Sequence, residues 1–339
     1  MSHGDSADPG VARIDERPAG GALPAGGALP ARALAPAKIN LGLFLGPKRA
    51  EDGRHELVSV MQSISLADEL TLDWAPAGVV RDEVLCPGVT GSPAQNLAWL
   101  ALDAFRAATG WDGPPLRMSI AKRIPVAAGL GGGSADAAAV LRLATYASGL
   151  GDEALLRELG AALGADVPAQ IAPGRWLATG AGELLEALPD PNPESFGLLV
   201  LPAAAELRTA EVYAQADRLG PKRSSEALEE RRRALRRALE LSAAVPAASE
   251  LLENDLERAA ISLCPEIADT LDQAREVGAD LALVSGSGPT VVGLFSHANG
   301  LGRAERAAAG LASDRGSSGA PAPICATPVN AAFARVTSV

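Results

Sequence analysis

Residues 124–143, IPVAAGLGGGSADAAAVLRL, set Gly129, Gly131, Gly132 and Gly133 directly ahead of Ser134 and an alanine-rich helix. A strand-like entry, a loop nearly bare of side chains and a helix start gather several unpaired backbone N–H groups at the positive end of a helix dipole. Such a point suits an anion, and a phosphate above all. The spacing matches neither standard phosphate fingerprint. A P-loop needs Gly-Lys-Ser/Thr, and no lysine precedes Ser134; a dinucleotide fingerprint needs a third Gly or Ala where this chain has Ser134. A glycine-rich turn built for close packing is the other reading.

The basic residues add a second clue. Of thirty, only four are lysine: Lys38, Lys48, Lys122 and Lys222. Where an arginine-rich chain keeps lysine, it keeps a compact point charge instead of a planar fork. Lys38 and Lys122 both lie beside motif-like segments.

Folded elements must hold these groups in place. From Ala35, APAKINLGLFLGPKR alternates Ile39, Leu41, Leu43 and Leu45 with other residues, which predicts a strand ending at Gly46-Pro47 with Lys38, Asn40 and Gly42 on its other face. LVSVMQSISLADELTLDW (57–74) predicts two more strands. LRMSIAKRIPV (116–126) is an extended lead into the glycine loop. Helices are expected after Asn96, from Ser134 to about Ser148, and around Leu155, Leu156, Leu159 and Leu163. Beyond Pro189, Pro191 and Pro193, FGLLVLP reads as a strand, helices follow to about residue 275, and two strands flank Ser285–Pro289.

A chain of 339 residues exceeds what one core usually supports, so two domains are expected, 35–188 and 189–339, divided in the proline-rich stretch. Residues 1–34 read as a disordered tail in which GGALPA repeats at Gly20–Ala25 and Gly26–Ala31. With 47% hydrophobic residues and no apolar run of roughly 18 residues, the chain is expected to be cytoplasmic, without a membrane span. The net charge of −11 and 3% aromatic content disfavour nucleic acid and anionic membranes as partners. One local exception, residues 221–240, holds seven Lys/Arg against four Glu and predicts a surface helix with Leu228, Leu235 and Leu239 on its inner face. Cys86, Cys264 and Cys325 have neither zinc-site nor disulfide-framework spacing.

Five segments combine: AKIN (37–40), GRHEL (53–57), GLGGGSAD (129–136), LGADVP (163–168) and SGSGPT (285–290). In that order, from about Pro36 to Phe295, the chain resembles the GHMP family of small-molecule kinases. The resemblance implies an α+β, two-domain GHMP kinase fold: an N-terminal half like ribosomal protein S5, an α+β C-terminal half, and the active site between them. The DGRHEL and LGADVP segments are most similar to the branch that uses ATP and Mg²⁺ to phosphorylate the 2-hydroxyl of 4-diphosphocytidyl-2-C-methyl-D-erythritol in non-mevalonate isoprenoid synthesis. Homoserine- or mevalonate-type kinases, and a non-catalytic ATP-binding relative, are the alternatives.

The same resemblance implies the residue roles. Asp166 is the base and Lys38 its neighbour, an arrangement suited to taking a proton from an alcohol while charge on the transferring group is stabilised. Gly129, Gly131, Gly132, Gly133 and Ser134 hold the ATP phosphates, while Asn96 and Lys122 contact the adenosine. Magnesium bridges the phosphates, with no protein ligand assigned. Asn40 and His55 serve the acceptor; Tyr213 matches an aromatic position over its base. Arg54 stands where the family commonly has tyrosine, and a guanidinium can also lie flat on a ring. On residue type alone, other readings stay open. Asp166 and Asn96 could cap helices, Lys38 and Arg54 could be surface charges, and His55 and Tyr213 could be structural.

Overall fold

Two long strands dominate the first half of the computed structural model, which describes residues 26–89, 95–220, 222–241, 250–297 and 299–339. β1 (Ala31–Lys48) and β2 (His55–Trp74) run antiparallel and turn through Gly53 at φ +69°. The 57–74 stretch is thus part of one strand and not two, since it contains no glycine or proline to break it. β1 starts four residues before Ala35. Ala31 and Ala33 are buried, so the expected tail of 1–34 overshoots; residues 1–25, with the first GGALPA copy, lie outside the described residues.

Three register shifts interrupt the β1–β2 ladder, between Pro36 and Lys38, between Asn40 and Gly42, and between Leu45 and Lys48. Such irregularities re-aim side chains. Simple alternation therefore fails here: Lys38, Ile39, Asn40 and Leu41 are all buried.

The first sheet has the order β11-β1-β2-β4-β3, with β3 (Glu83–Leu85), β4 (Leu116–Ala121) and β11 (Thr337–Ser338); β5 (Arg175–Thr179) and β6 (Leu184–Leu188) extend it from the other half of β2. Four helices accompany it: α1 (Leu97–Thr109), α2 (Gly132–Ser148), α3 (Glu153–Leu163) and α4 (Val167–Ile171). The small buried face of α2, from Ala135 through Ala147, joins Ala31, Ala33 and Ala35 of β1 in one core. Close approach of this helix to the sheet fixes the height of the glycine loop at its start.

The second sheet, β10-β7-β9-β8, is formed by β7 (Phe196–Leu201), β8 (Leu281–Val284), β9 (Val291–Ser296) and β10 (Ile324–Ala326). The helices of this half are α5 (Thr209–Leu219), α6 (Ser225–Leu241), α7 (Glu257–Leu263), α8 (Glu266–Glu276) and α9 (Gly300–Ser318), of which α6 packs back on β1, β2 and β6 of the first sheet. On α6, Leu228, Leu235 and Leu239 are buried as its periodicity predicts. The chain end departs from the expected 189–339 unit. After β10 it returns to the first sheet, where Val329 N–H donates to Ser63 O and β11 covers the edge of β1. An open strand edge is a liability that such a return removes.

Candidate active site

The anion-favouring features of the glycine loop are local. Gly131, at φ +69°, is the N-cap of α2, offers no capping side chain, and precedes a first turn without acidic residues. Gly132, Gly133 and Ser134 lie ahead of the first helical bond, Ala135 N–H to Gly131 O. Their amides face an unneutralised dipole, which favours an anion. Side chains are excluded by contact as well as by φ. A Cβ on Gly129 would lie 2.5 Å from Gly288 O, and one on Gly131 would lie 2.9 Å from Lys38 Cγ. The SGSGPT turn supports the loop, because Thr290 Oγ1 donates to Ala128 O at 2.6 Å.

Lys38 approaches the loop from β1. Its backbone N–H donates to Leu130 O, and its Nζ lies 2.7 Å from Asn40 Oδ1 and 3.4 Å from Asp166 Oδ2. Ser59 Oγ donates to Gly42 O and accepts from Asn40 Nδ2, so the amide oxygen of Asn40 must face Lys38. Asp166 precedes α4 but makes no side-chain cap bond. The helix-cap reading of this residue fails, and its carboxylate is left for Lys38. The Lys38 side chain is 9% exposed and that of Asp166 36%. The cation is thus buried and fixed while the carboxylate is open to a ligand.

A cavity of about 800 Å³ opens in front of this pair. Lys38, Asn40, Arg54, His55, Gly129, Gly131, Ser134, Asp166 and Tyr213 all line it. His55 Nδ1 donates to Gly46 O at 2.8 Å, and its ring lies 6.0 Å from that of Tyr213 at a 36° tilt. Burial, reinforced by the Asp166 charge, pushes the Tyr213 hydroxyl up to about 12 against the pull of Arg54. Arg54 Nη2 donates to Ala181 O at 2.7 Å.

On the other side of the loop lies a cavity of about 480 Å³, lined by Asn96, Lys122, Asp136 and residues 129–134. The two cavities share Gly129, Gly131 and Ser134. Asn96 Oδ1 caps α1 by accepting from Ala98 N–H, which leaves its amide nitrogen for other partners. Lys122 Nζ binds Asp68 at 2.5 Å and Asp136 at 2.7 Å. Burial alone would lower the Lys122 ammonium, but the two carboxylates outweigh it and raise it. Two carboxylates share one ammonium, and Asp136 is the less satisfied: its Oδ1 is buried without a hydrogen bond, and burial pushes its carboxyl up to about 7.

The model for the GHMP kinases N terminal domain matches residues 96–174, and that for GHMP kinases C terminal matches 224–315. A 4-diphosphocytidyl-2-C-methyl-D-erythritol kinase of Corynebacterium efficiens is 40% identical over 273 residues, spanning 77% of this chain and 84% of that one. The chain belongs to the GHMP kinases. A Geobacter sulfurreducens protein of the same name is 40% identical across 79% of this GHMP kinase and 91% of its own length. A crystal structure of a 4-(cytidine 5'-diphospho)-2C-methyl-D-erythritol kinase matches with TM-score 0.66 at 32% identity, covering 88% of this chain and 98% of that one. Homoserine kinase from Cytophaga hutchinsonii shares the fold, with TM-score 0.65 at 16% identity. Family membership brings ATP use with it.

In this GHMP kinase, sequence reasoning missed Asp68, Asp136, Asp217, Ser59 and Thr290, each of which holds a candidate site residue or the loop. Asp136 and Thr290 carried a signal, as the acid within GLGGGSAD and the last residue of SGSGPT. No group of three or more His, Cys, Asp or Glu among the described residues could hold a metal ion, and no described helix is long and apolar enough to cross a membrane.

Proposed function

We propose that this kinase transfers the γ-phosphate of ATP to the 2-hydroxyl of 4-diphosphocytidyl-2-C-methyl-D-erythritol. The named relatives support the substrate. The observation that carries the chemistry is the Lys38–Asp166 pair, which stands where two cavities meet at a shared glycine loop. ATP occupies the smaller cavity, with its phosphates on the amides of residues 131–134, and the acceptor occupies the larger one.

Asp166 accepts the proton of the attacking hydroxyl as the P–O bond forms, and Lys38 stabilises the charge that develops on the transferring group. Asn40 keeps the ammonium of Lys38 in line. A bound magnesium ion would neutralise charge on the ATP phosphates. Ser134 and Asp166 are the oxygen donors beside the loop, and one or two carboxylates plus phosphate oxygens suffice for this ion. His55, Tyr213 and Arg54 hold the cytidyl end, with Arg54 in place of an aromatic stacking partner. Asn96 and Lys122 face the adenosine.

The test is ADP release from Mg·ATP by the purified protein, with and without the cytidyl substrate. Substrate-dependent release is expected. Release only with homoserine or mevalonate would move the chain to a sister specificity, and ATP binding without release to any of them would make it a non-catalytic relative.

A further inference from the structure

Residues 253–255 run beside β1, outside the strands of either sheet. Leu43 N–H donates to Glu253 O and Asp255 N–H donates to Leu43 O, both at 2.8 Å, and Leu45 N–H donates to Asp255 Oδ2 at 2.9 Å. Between these anchors, the side chain of Asn254 reaches the SGSGPT turn. Its Nδ2 lies 2.7 Å from Val284 O and 2.7 Å from Gly286 O, the carbonyls on either side of Ser285, while its Oδ1 accepts from Leu256 N–H at 2.9 Å. Both amide protons are thus committed to the turn. The turn in turn abuts the reacting pair. Ser285 Oγ accepts from Asn40 N–H at 3.3 Å, and a Cβ on Gly286 would lie 2.9 Å from Asn40 Oδ1 and 3.6 Å from Lys38 Nζ.

We propose that Asn254 is a positioning residue for phosphoryl transfer: it ties the SGSGPT turn to β1, so that the turn holds Asn40 and, through it, the Lys38 ammonium in line with Asp166. The proposal rests on the reading of Lys38 and Asp166 as the transfer pair. The turn's own bonds, Ser285 N–H to Thr290 O and Gly288 N–H to Ser285 O, fix its shape but not its distance from β1. Asn254 sets that distance. β1 therefore carries the reacting lysine and also, at Leu43, the bracket that holds the opposite wall against it.

The experiment measures kcat and both KM values per folded molecule in Asn254→Asp. The aspartate keeps the acceptor for Leu256 N–H but turns a second oxygen to the two carbonyls, so the turn loses both donors. The kcat should fall about tenfold to a hundredfold, as a displacement of about 1 Å at a reacting group costs, while the KM for the cytidyl substrate stays within about threefold. In an Asn40→Ala background the group to be held is gone, and the same change should cost less than about threefold more. A cavity of about 570 Å³ beside Asn254 lets water reach the freed carbonyls, so Asn254→Ala is expected to fold and to show the same loss of kcat. A lowered Tm with kcat per folded molecule unchanged in these variants would overturn the proposal and leave Asn254 as a structural tie. Equal losses with and without Asn40 would overturn it as well. A wild type that releases no ADP with any acceptor would overturn the transfer reading beneath it, an outcome seen before any variant is made.

Discussion

Two lysine–aspartate clusters flank one glycine loop, and they are built to opposite ends. Lys122 is clamped between Asp68 and Asp136 at 2.5 and 2.7 Å, with Asp68 fully buried and also accepting from the backbone N–H groups of Arg123 and Ile124. Lys38 meets Asp166 at only 3.4 Å, across a gap that opens to a cavity. The clamped cluster ties β2, the segment after β4 and α2 into one frame. The loose one leaves a carboxylate oxygen room for a third party. In the clamped cluster the unpaired oxygen, Asp136 Oδ1, is sealed from solvent, whereas the spare oxygen of Asp166 faces a cavity.

Replacing the loose partner should therefore cost chemistry and little else. Asp166→Asn keeps the shape of the side chain and removes the proton acceptor, so kcat should fall about 10²- to 10⁴-fold while the KM for ATP stays within about threefold. Steady-state kinetics with varied ATP reads both. A collapse of ATP affinity with kcat preserved would mean that the base lies elsewhere. The clamped cluster should behave in reverse. Lys122→Met strands two buried carboxylates, a defect that typically costs about 3–5 kcal/mol, and it should appear as a fall in the denaturant midpoint, together with a raised KM for ATP because Lys122 also faces the proposed ATP cavity. Unchanged stability would mean that the cluster is not a frame at all.

The contrast also explains how much was legible in advance. The glycine loop, the helix after Asn96 and the LGADVP turn are local patterns, and each sits where its residues predict. The bulges at Lys38 and Asn40 were hidden, since a register shift depends on a partner strand. Asp68 lies 54 residues from Lys122, and Asp217 pairs with His55 from the second half of the chain. No period or motif links such pairs. β11 is two residues long, too short for any alternation to mark it.

The charge imbalance of the clamped cluster gives a pH signature. Burial holds the Asp136 carboxyl at about 7, above its unfolded value near 4. The folded state thus binds more protons than the unfolded state between those values, and stability falls as pH rises through that window. The contribution is complete below about pH 4 and lost above about pH 7. Asp136→Asn cannot titrate, so its Tm between pH 5 and pH 8 should be flatter than that of the wild type. Parallel Tm curves would place the titration elsewhere.

The smallest effect concerns Arg54, at the mouth of the acceptor cavity. Its guanidinium donates to Ala181 O and carries no ion pair among the described residues, so its removal frees a carbonyl at a partly exposed site and strands no charge. A tyrosine there would place a second flat ring on the cavity that Tyr213 also lines. Loss of one such hydrogen bond costs about 1 kcal/mol, and offset aromatic stacking returns a similar amount. Arg54→Tyr should accordingly hold the KM for the cytidyl substrate within about threefold, with kcat and the KM for ATP unmoved. A rise beyond about tenfold confined to the acceptor KM would show that the positive charge itself matters. The diphosphate of the acceptor would then be what Arg54 holds, and the base would have to be gripped by Tyr213 and His55 alone.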